Sequence, residues 1–516
     1  MPGRTDRPAD MIRDMKPRRL ALAATLLVML AAPTPAKEIL EYEWLEVRTP
    51  HFVIASAQKT NPTLELAIDL ENFRSLAEKL TNIGRFEERI PTKIYLLPRI
   101  ERDLGFGNYI AGYFNDAMRA NYAAMIPSGS YSDEVLKHEY VHFLVHNRDR
   151  LLYPTWFDEG FAELLSTLRM KGTTLEYGKP NDGRVSWLVN GNWLPYRTVL
   201  NARDTRDLRA ERGAMFYAQS WLLVHYLMIG NPDFSKRNAD FLKRRERGES
   251  VESAFEAAFG IKTGSITAKV RKYGQRLPYY KGELREPLPP VETETRPLPR
   301  AEIAAELGTL ALLARGADAA APFYQAALAA DPTHGPALTG VADIHKFAGR
   351  FDEARPLYEK AIALEPTNDN HELDYAEYFL DLAHHEQEAG KGATRVGELV
   401  VEARRHFSRA YQLNPDNPEI LAMNGATYLV EGEDAVKGIE SLEVAHQLLP
   451  AQTQIRLLLA RSYIAAGQRE KARPHLETLL AWTHSEGLEE IQMLLASLDA
   501  PEAASETAAE GNQPAR

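Results

Sequence analysis

An α+β domain followed by an all-α helical solenoid is the fold class that this 516-residue sequence predicts. Three observations carry the prediction. Short runs rich in β-branched and aromatic residues precede two apolar helices in the first half of the chain. A Pro- and charge-rich stretch interrupts the pattern near residue 290. Beyond it, proline, tyrosine and alanine recur every 34 to 35 residues, the period of a stacked helix pair.

The chain is too long for one typical core, so at least two domains are expected. Hydrophobic residues at 44% and charged residues at 26% are ordinary for a folded protein. A net charge of −11 argues against nucleic acid as the main partner. The sequence holds no cysteine, which excludes disulfides, thiolate metal sites and a lipid anchor on an N-terminal cysteine.

At the N-terminus, Lys16, Arg18 and Arg19 precede an apolar run from Leu20 to Ala32 and the small-residue stretch Thr34-Pro35-Ala36. This is the pattern of an export signal over residues 1–36, with Met11 or Met15 as alternative starts. The run is short for a membrane span, so a cleaved signal is expected over a retained anchor. Cleavage would remove six Lys/Arg and three Asp, moving the charge from −11 to −14. A periplasmic or secreted protein without a stable membrane span is the expectation.

Residues 91–97 (PTKIYLL) and 120–126 (ANYAAMI) read as strands. Residues 132–146 (SDEVLKHEYVHFLVH) read as a helix, with Ser132 as N-cap and Asp133 and Glu134 in the first turn. Residues four apart share a helix face, so His138 and His142 can address one ion. Glu139, one step round, can reach a water held by that ion. This H-E-x-x-H spacing is that of zinc peptidases. The longer metzincin pattern is excluded, because Val145 and Arg148 stand where it needs Gly and His.

A catalytic zinc site usually takes three protein ligands. The third expected here is Glu159, seventeen residues beyond His142 in YPTWFDEGFAE. Pro154 and the cap-like Asp158 place the start of a second helix nearby, which can fold Glu159 back beside the histidines. Asp158 is either that cap or a partner that orients a histidine.

The HEYVH and WFDEGFAE elements together resemble the gluzincin clan, in particular the peptidase-MA-like proteins, over roughly residues 40–280. The segment from Trp44 to Ser56 is similar to the opening strand of such domains. The resemblance implies an α+β zincin-like metallopeptidase fold, with zinc (Zn2+) held by His138, His142 and Glu159 and with Glu139 as general base. It also implies an edge strand above the site that pairs with substrate main chain, and Asn121 to Ala124 are the candidates; an ordinary internal strand is the alternative. Related families place an oxyanion donor downstream, for which Tyr217 is the candidate, a core aromatic being the other reading. His225 reads as a core histidine, and His146 as a lesser candidate ligand. Asp158 stands where aminopeptidases of the clan carry Asn, which argues against that activity.

Residues 282–300 read as a Pro-rich linker. Beyond it, Pro332 and Pro366, Tyr324 and Tyr358, and Ala327 and Ala361 are each 34 residues apart. Pro415 and Pro450 follow after 49 and 35 residues, the longer interval carrying an insertion around 384–397. This period resembles tetratricopeptide repeats (TPR) over about 301–483, in four or five units with a degenerate third, whose groove implies a protein partner, packing against the neighbouring domain alone being the alternative. A capping helix over 484–500 and a disordered tail over 501–516 complete a division that begins with the signal and a metal-site domain over 37–281.

The expectation is an exported zinc metallopeptidase whose TPR domain binds a peptide or protein substrate or a protein partner. The alternative is a TPR adaptor or scaffold of the cell envelope with an inactive zinc-peptidase-like domain.

Overall fold

The computed structural model describes residues 38–81, 89–98, 112–127, 130–147, 153–202, 208, 210–482 and 487–499. The expected signal over 1–36 and tail over 501–516 lie outside the described residues. Among those residues no helix is long and apolar enough to cross a membrane.

The first half contains strands β1 (Leu45–Arg48), β2 (Phe52–Ser56), β3 (Thr92–Leu96), β4 (Gly112–Asp116), β5 (Asn121–Met125), β6 (Arg169–Lys171), β7 (Thr174–Tyr177), β8 (Tyr280–Glu283) and β9 (Glu294–Pro297). Six of them form a mixed sheet in the order β4-β5-β3-β2-β1-β9, and β6-β7-β8 form a small second sheet. The β2–β3 and β3–β5 pairs are parallel; the β1–β2, β4–β5 and β1–β9 pairs are antiparallel. The expected single opening strand is thus a hairpin, β1 and β2, turning at residues 49–51. The turn is fixed by the Thr49 hydroxyl, which accepts from Phe52 N–H at 3.1 Å, and by the His51 imidazole, held by Glu71 at 2.7 Å.

Side chains alternate across the sheet with the period of two that a pleated strand dictates. From β3, Ile94 and Leu96 enter one apolar core and Tyr95 enters another. The first core is closed by α1 (Thr60–Thr81), α2 (Ser130–His146) and α3 (Thr155–Leu165). Helices α4 (Asp182–Asn190), α5 (Tyr196–Asn201), α6 (Ala210–Met228), α7 (Phe234–Glu246), α8 (Val251–Phe259) and α9 (Ile266–Gly274) complete this half. Trp156 is fully buried at its centre, edge-on to Phe157, Phe241 and Phe255. Truncating such a side chain costs about 3–5 kcal/mol, so Trp156 ties α3 to α7 and α8.

The stretch read as a linker supplies β9, which closes one end of the main sheet. An edge position tolerates Pro297 because no neighbour on that side needs its N–H. Arg296 locks the strand, donating from Nε to Glu46 Oε1 at 2.9 Å and from Nη1 to Glu302 Oε2 at 2.8 Å.

The second half is all-helical: α10 (Arg300–Arg315), α11 (Ala317–Ala330), α12 (Gly335–Phe347), α13 (Phe351–Leu364), α14 (Asp369–Glu388), α15 (Ala393–Leu413), α16 (Pro418–Ala426), α17 (Val436–Leu448), α18 (Thr453–Ala465), α19 (Arg469–Trp482) and α20 (Leu488–Asp499). The first ten pair antiparallel in five units, and α20 packs on α19 as a cap. The insertion near 384–397 lengthens α14 and α15 of the third unit to 20 and 21 residues. First helices of successive units touch at three of the four steps (α10 with α12, α12 with α14, α16 with α18), whereas among the described residues no second helices pack on one another in this way. The stack therefore curves with its first helices on the inner side. Its opening units share the second core with the back of the sheet, through Tyr95, Tyr122, Leu307, Phe323 and Tyr324.

Candidate metal centre

Helix α2 begins at Ser130, two residues before the expected cap, and keeps His138 and His142 one turn apart on one face. Helix α3 starts directly after Pro154, whose extended backbone (φ −68°, ψ 150°) is the conformation that proline favours before a helix. Asp158 is therefore in the first turn of α3 rather than at its cap. Glu159 and Glu163, also four apart, share the face turned toward α2.

These two faces bring three basic atoms together. His138 Nε2 and His142 Nε2 are 3.1 Å apart, and Glu159 Oε2 lies 3.2 Å from the first and 3.4 Å from the second. Tetrahedral zinc with bonds near 2.0–2.1 Å separates its ligand atoms by about 3.3 Å, so the spacing fits that ion. The far ring nitrogens face acids: His138 Nδ1 is 3.5 Å from Glu163 Oε1, and His142 Nδ1 is 3.2 Å from Asp158 Oδ2. Carboxylates placed there keep a proton on Nδ1, so that an ion replacing the Nε2 protons would meet the Nε2 lone pairs, as metal-bound histidines require. The donor set and its surroundings fit zinc.

The electrostatics agree with mutual support. Burial disfavours the charged His142 ring, but Asp158 and Glu159 outweigh it and raise its pKa well above the usual histidine range. Burial likewise opposes the Glu159 carboxylate, yet the hydrogen bonds from His138 and His142 hold it at about 2.

Glu139, the next residue round the helix from His138, lines a small cavity beneath the sheet with Phe114, Ala123, Ala124 and Leu136. Tyr217, on α6, directs its hydroxyl at the cluster and donates to Glu159 Oε1 at 3.4 Å. His146 lies 2.9 Å from Asp158 Oδ2, and with His142 and Asp158 it makes a second group of possible ligands that overlaps the first. His225 is accounted for elsewhere: its ring nitrogens face Gly178 O at 2.8 Å and the Tyr273 hydroxyl at 2.9 Å. It serves the core.

Of the two readings of Asn121 to Ala124, the internal strand is the one observed, because β5 pairs with β3 on one side and β4 on the other. Among the described strands the edge on this side of the sheet is β4, which the sequence reading missed. Two further residues were missed as well. Glu163 braces His138 and is itself gripped by Arg184, which donates from Nε at 2.9 Å and also through Nη2. The Arg184 guanidinium lies 5.2 Å from the centre of the Tyr217 ring, so one arginine steadies both groups. Glu163 was detectable as the residue one helical turn beyond Glu159; Arg184 carries no comparable sequence signal.

Comparison with known proteins bears on the second half. The tetratricopeptide repeat family model matches residues 311–370 and 429–498, so the solenoid contains tetratricopeptide repeats. No curated protein matches the chain. Among solved structures, a thermophilic TPR protein of Thermus thermophilus is similar at 21% identity and a TM-score of 0.34, over 38% of this chain and 98% of that one. Pseudomonas aeruginosa pilF is similar at 19% identity and a TM-score of 0.30, over 38% and 88%. A tetratricopeptide repeat protein of Parabacteroides merdae reaches 14% identity and a TM-score of 0.29, over 59% and 99%.

Proposed function

We propose that this chain is a protein-binding TPR module joined to a zinc-dependent peptidase site. The two parts rest on different support. The repeats suggest a protein-binding adaptor, and the comparisons favour that role over a hydrolytic one. The catalytic reading rests on one observation, the convergence of His138, His142 and Glu159 at tetrahedral spacing with Glu139 on the next turn position. Export by residues 1–36 to a periplasmic or extracellular location belongs to the same proposal.

Zinc, when bound, would supply a Lewis acid and a water of near-neutral pKa. Within the proposed site, His138, His142 and Glu159 would hold the ion, and Glu163 and Asp158 orient the two imidazoles. Glu139 accepts the proton of the attacking water and returns it to the departing amine. The Tyr217 hydroxyl, already directed at the cluster, donates to the oxyanion as it develops. The edge of β4, which no other described strand covers, offers main-chain groups to an extended peptide by strand addition.

Glu139→Gln separates the two roles. A peptidase keeps its zinc and loses cleavage of a peptide library in that variant. An adaptor with a silent metal domain cleaves nothing as wild type and keeps partner binding in the variant. Wild-type cleavage that survives Glu139→Gln would sink the mechanism.

A further inference from the structure

The inner side of the solenoid carries a row of acids on the first helices of its units: Glu306 on α10, Asp343 on α12, Asp374 and Glu377 on α14, and Glu419 on α16. Three of these acids, Glu306, Asp374 and Glu419, are met by the chain's own first domain, whereas Asp343 and Glu377 face Lys346 of the solenoid itself. The turn joining β4 to β5 adds its buried Met118 to the apolar cluster of the last repeats, which includes Ala422 of α16 and Leu459 of α18. Next to it, Arg119 donates from Nε to Glu419 Oε2 at 2.7 Å and lies 2.8 Å from Asp374 Oδ1 through Nη1. Asp374 and Glu419 are on different units, so one guanidinium bridges two repeats. Lys93 of β3 meets Glu306 at 2.9 Å in the same manner, and the Tyr95 hydroxyl donates to Glu306.

From these contacts we infer that the inner face of the solenoid is a clamp for its own chain, with Arg119 as the positioning residue that fixes edge strand β4 beside the metal cluster. The geometry carries this. Arg119 is three residues beyond the end of β4, whose outer edge is unpaired among the described strands and whose Phe114 lines the cavity of Glu139. An isolated edge strand is loosely held; a turn gripped by two carboxylates and an apolar pocket is not. A strand that accepts substrate main chain must be ordered before it pairs, since ordering it on binding would weaken affinity. The consequence for substrate rests on the peptidase reading, but the clamp does not.

The test is amide hydrogen exchange on the full chain, comparing wild type, Arg119→Ala and the isosteric pair Asp374→Asn with Glu419→Gln. The expected result is exchange about tenfold faster across residues 112–125 in both variants, with α2 and α3 unchanged. Unchanged exchange across 112–125 in either variant overturns the clamp: if only Arg119→Ala loosens the strand, the effect belongs to the turn itself. The paired variant keeps side-chain size, so it decides the matter even where Arg119→Ala folds poorly. If wild type also cleaves peptides, both variants should raise KM far more than they lower kcat. If it cleaves none, the exchange result stands alone and the peptidase reading fails separately.

Discussion

Gly160 follows the proposed third ligand, and replacing it with alanine should break the site through packing alone. A methyl built at this position would press on the Ser220 carbonyl, 2.6 Å from its carbon, and would lie 2.7 Å from Val224 Cγ2, both on α6. Ordinary contact needs about 3.4 Å, so α3 must retreat from α6 by roughly 1 Å. The backbone carbonyl cannot swing aside. Alanine alone would stabilise the helix by about 1 kcal/mol relative to glycine, whereas overpacking a tight core costs about 1–3 kcal/mol. Because the nearest obstacle is main chain, the upper part of that range applies and a net loss of about 1–2 kcal/mol is expected. Metal sites tolerate about 0.2 Å, so a shift of Glu159 on that scale should weaken zinc binding at least tenfold. Urea unfolding followed by tryptophan fluorescence gives the first number, and competition against a chelator gives the second. A Gly160→Ala protein that is more stable than wild type with unchanged zinc affinity would refute the close-packing argument.

Other perturbations address the supports of the cluster. Glu163→Gln should lower zinc affinity by about 10–100-fold while leaving the fold intact, measured by the same competition. Asp158→Asn should act similarly through His142, and because it also faces His146 the effect should not be smaller than that of Glu163→Gln. Tyr217→Phe should keep stoichiometric zinc and lower kcat by about 10²-fold, leaving KM nearly unchanged in a peptide assay. Trp156→Ala should destabilise by about 3–5 kcal/mol, seen as a lower urea midpoint, with zinc lost only as unfolding proceeds.

What could be read from the sequence follows from where the information sits. His138 and His142 are set by one helical turn, and Glu159 by one short excursion between two helices, so local spacing carries the cluster. The tetratricopeptide period is equally local, since each unit repeats its own prolines and alanines. What escaped is held by distant partners. Strand β4 lacks a strong turn signal, because residues 117–120 contain neither Gly nor Pro, and what tethers that turn includes Asp374 and Glu419, more than 250 residues away. Strand β9 hides in a Pro-rich stretch, where pairing with β1 and the Arg296 contacts to Glu46 and Glu302 give it structure. Arg184 reaches Glu163 across a loop and a small sheet, a distance no sequence period encodes. The third repeat reads as degenerate because its insertion interrupts the period, whereas in the fold that insertion continues two helices.

The central claim is that His138, His142 and Glu159 make a zinc site. Zinc content per chain, on purified protein beside Glu159→Ala, tests it most directly. The account predicts about one zinc per wild-type chain and a clear loss in the variant; a well-folded wild type without zinc would contradict it.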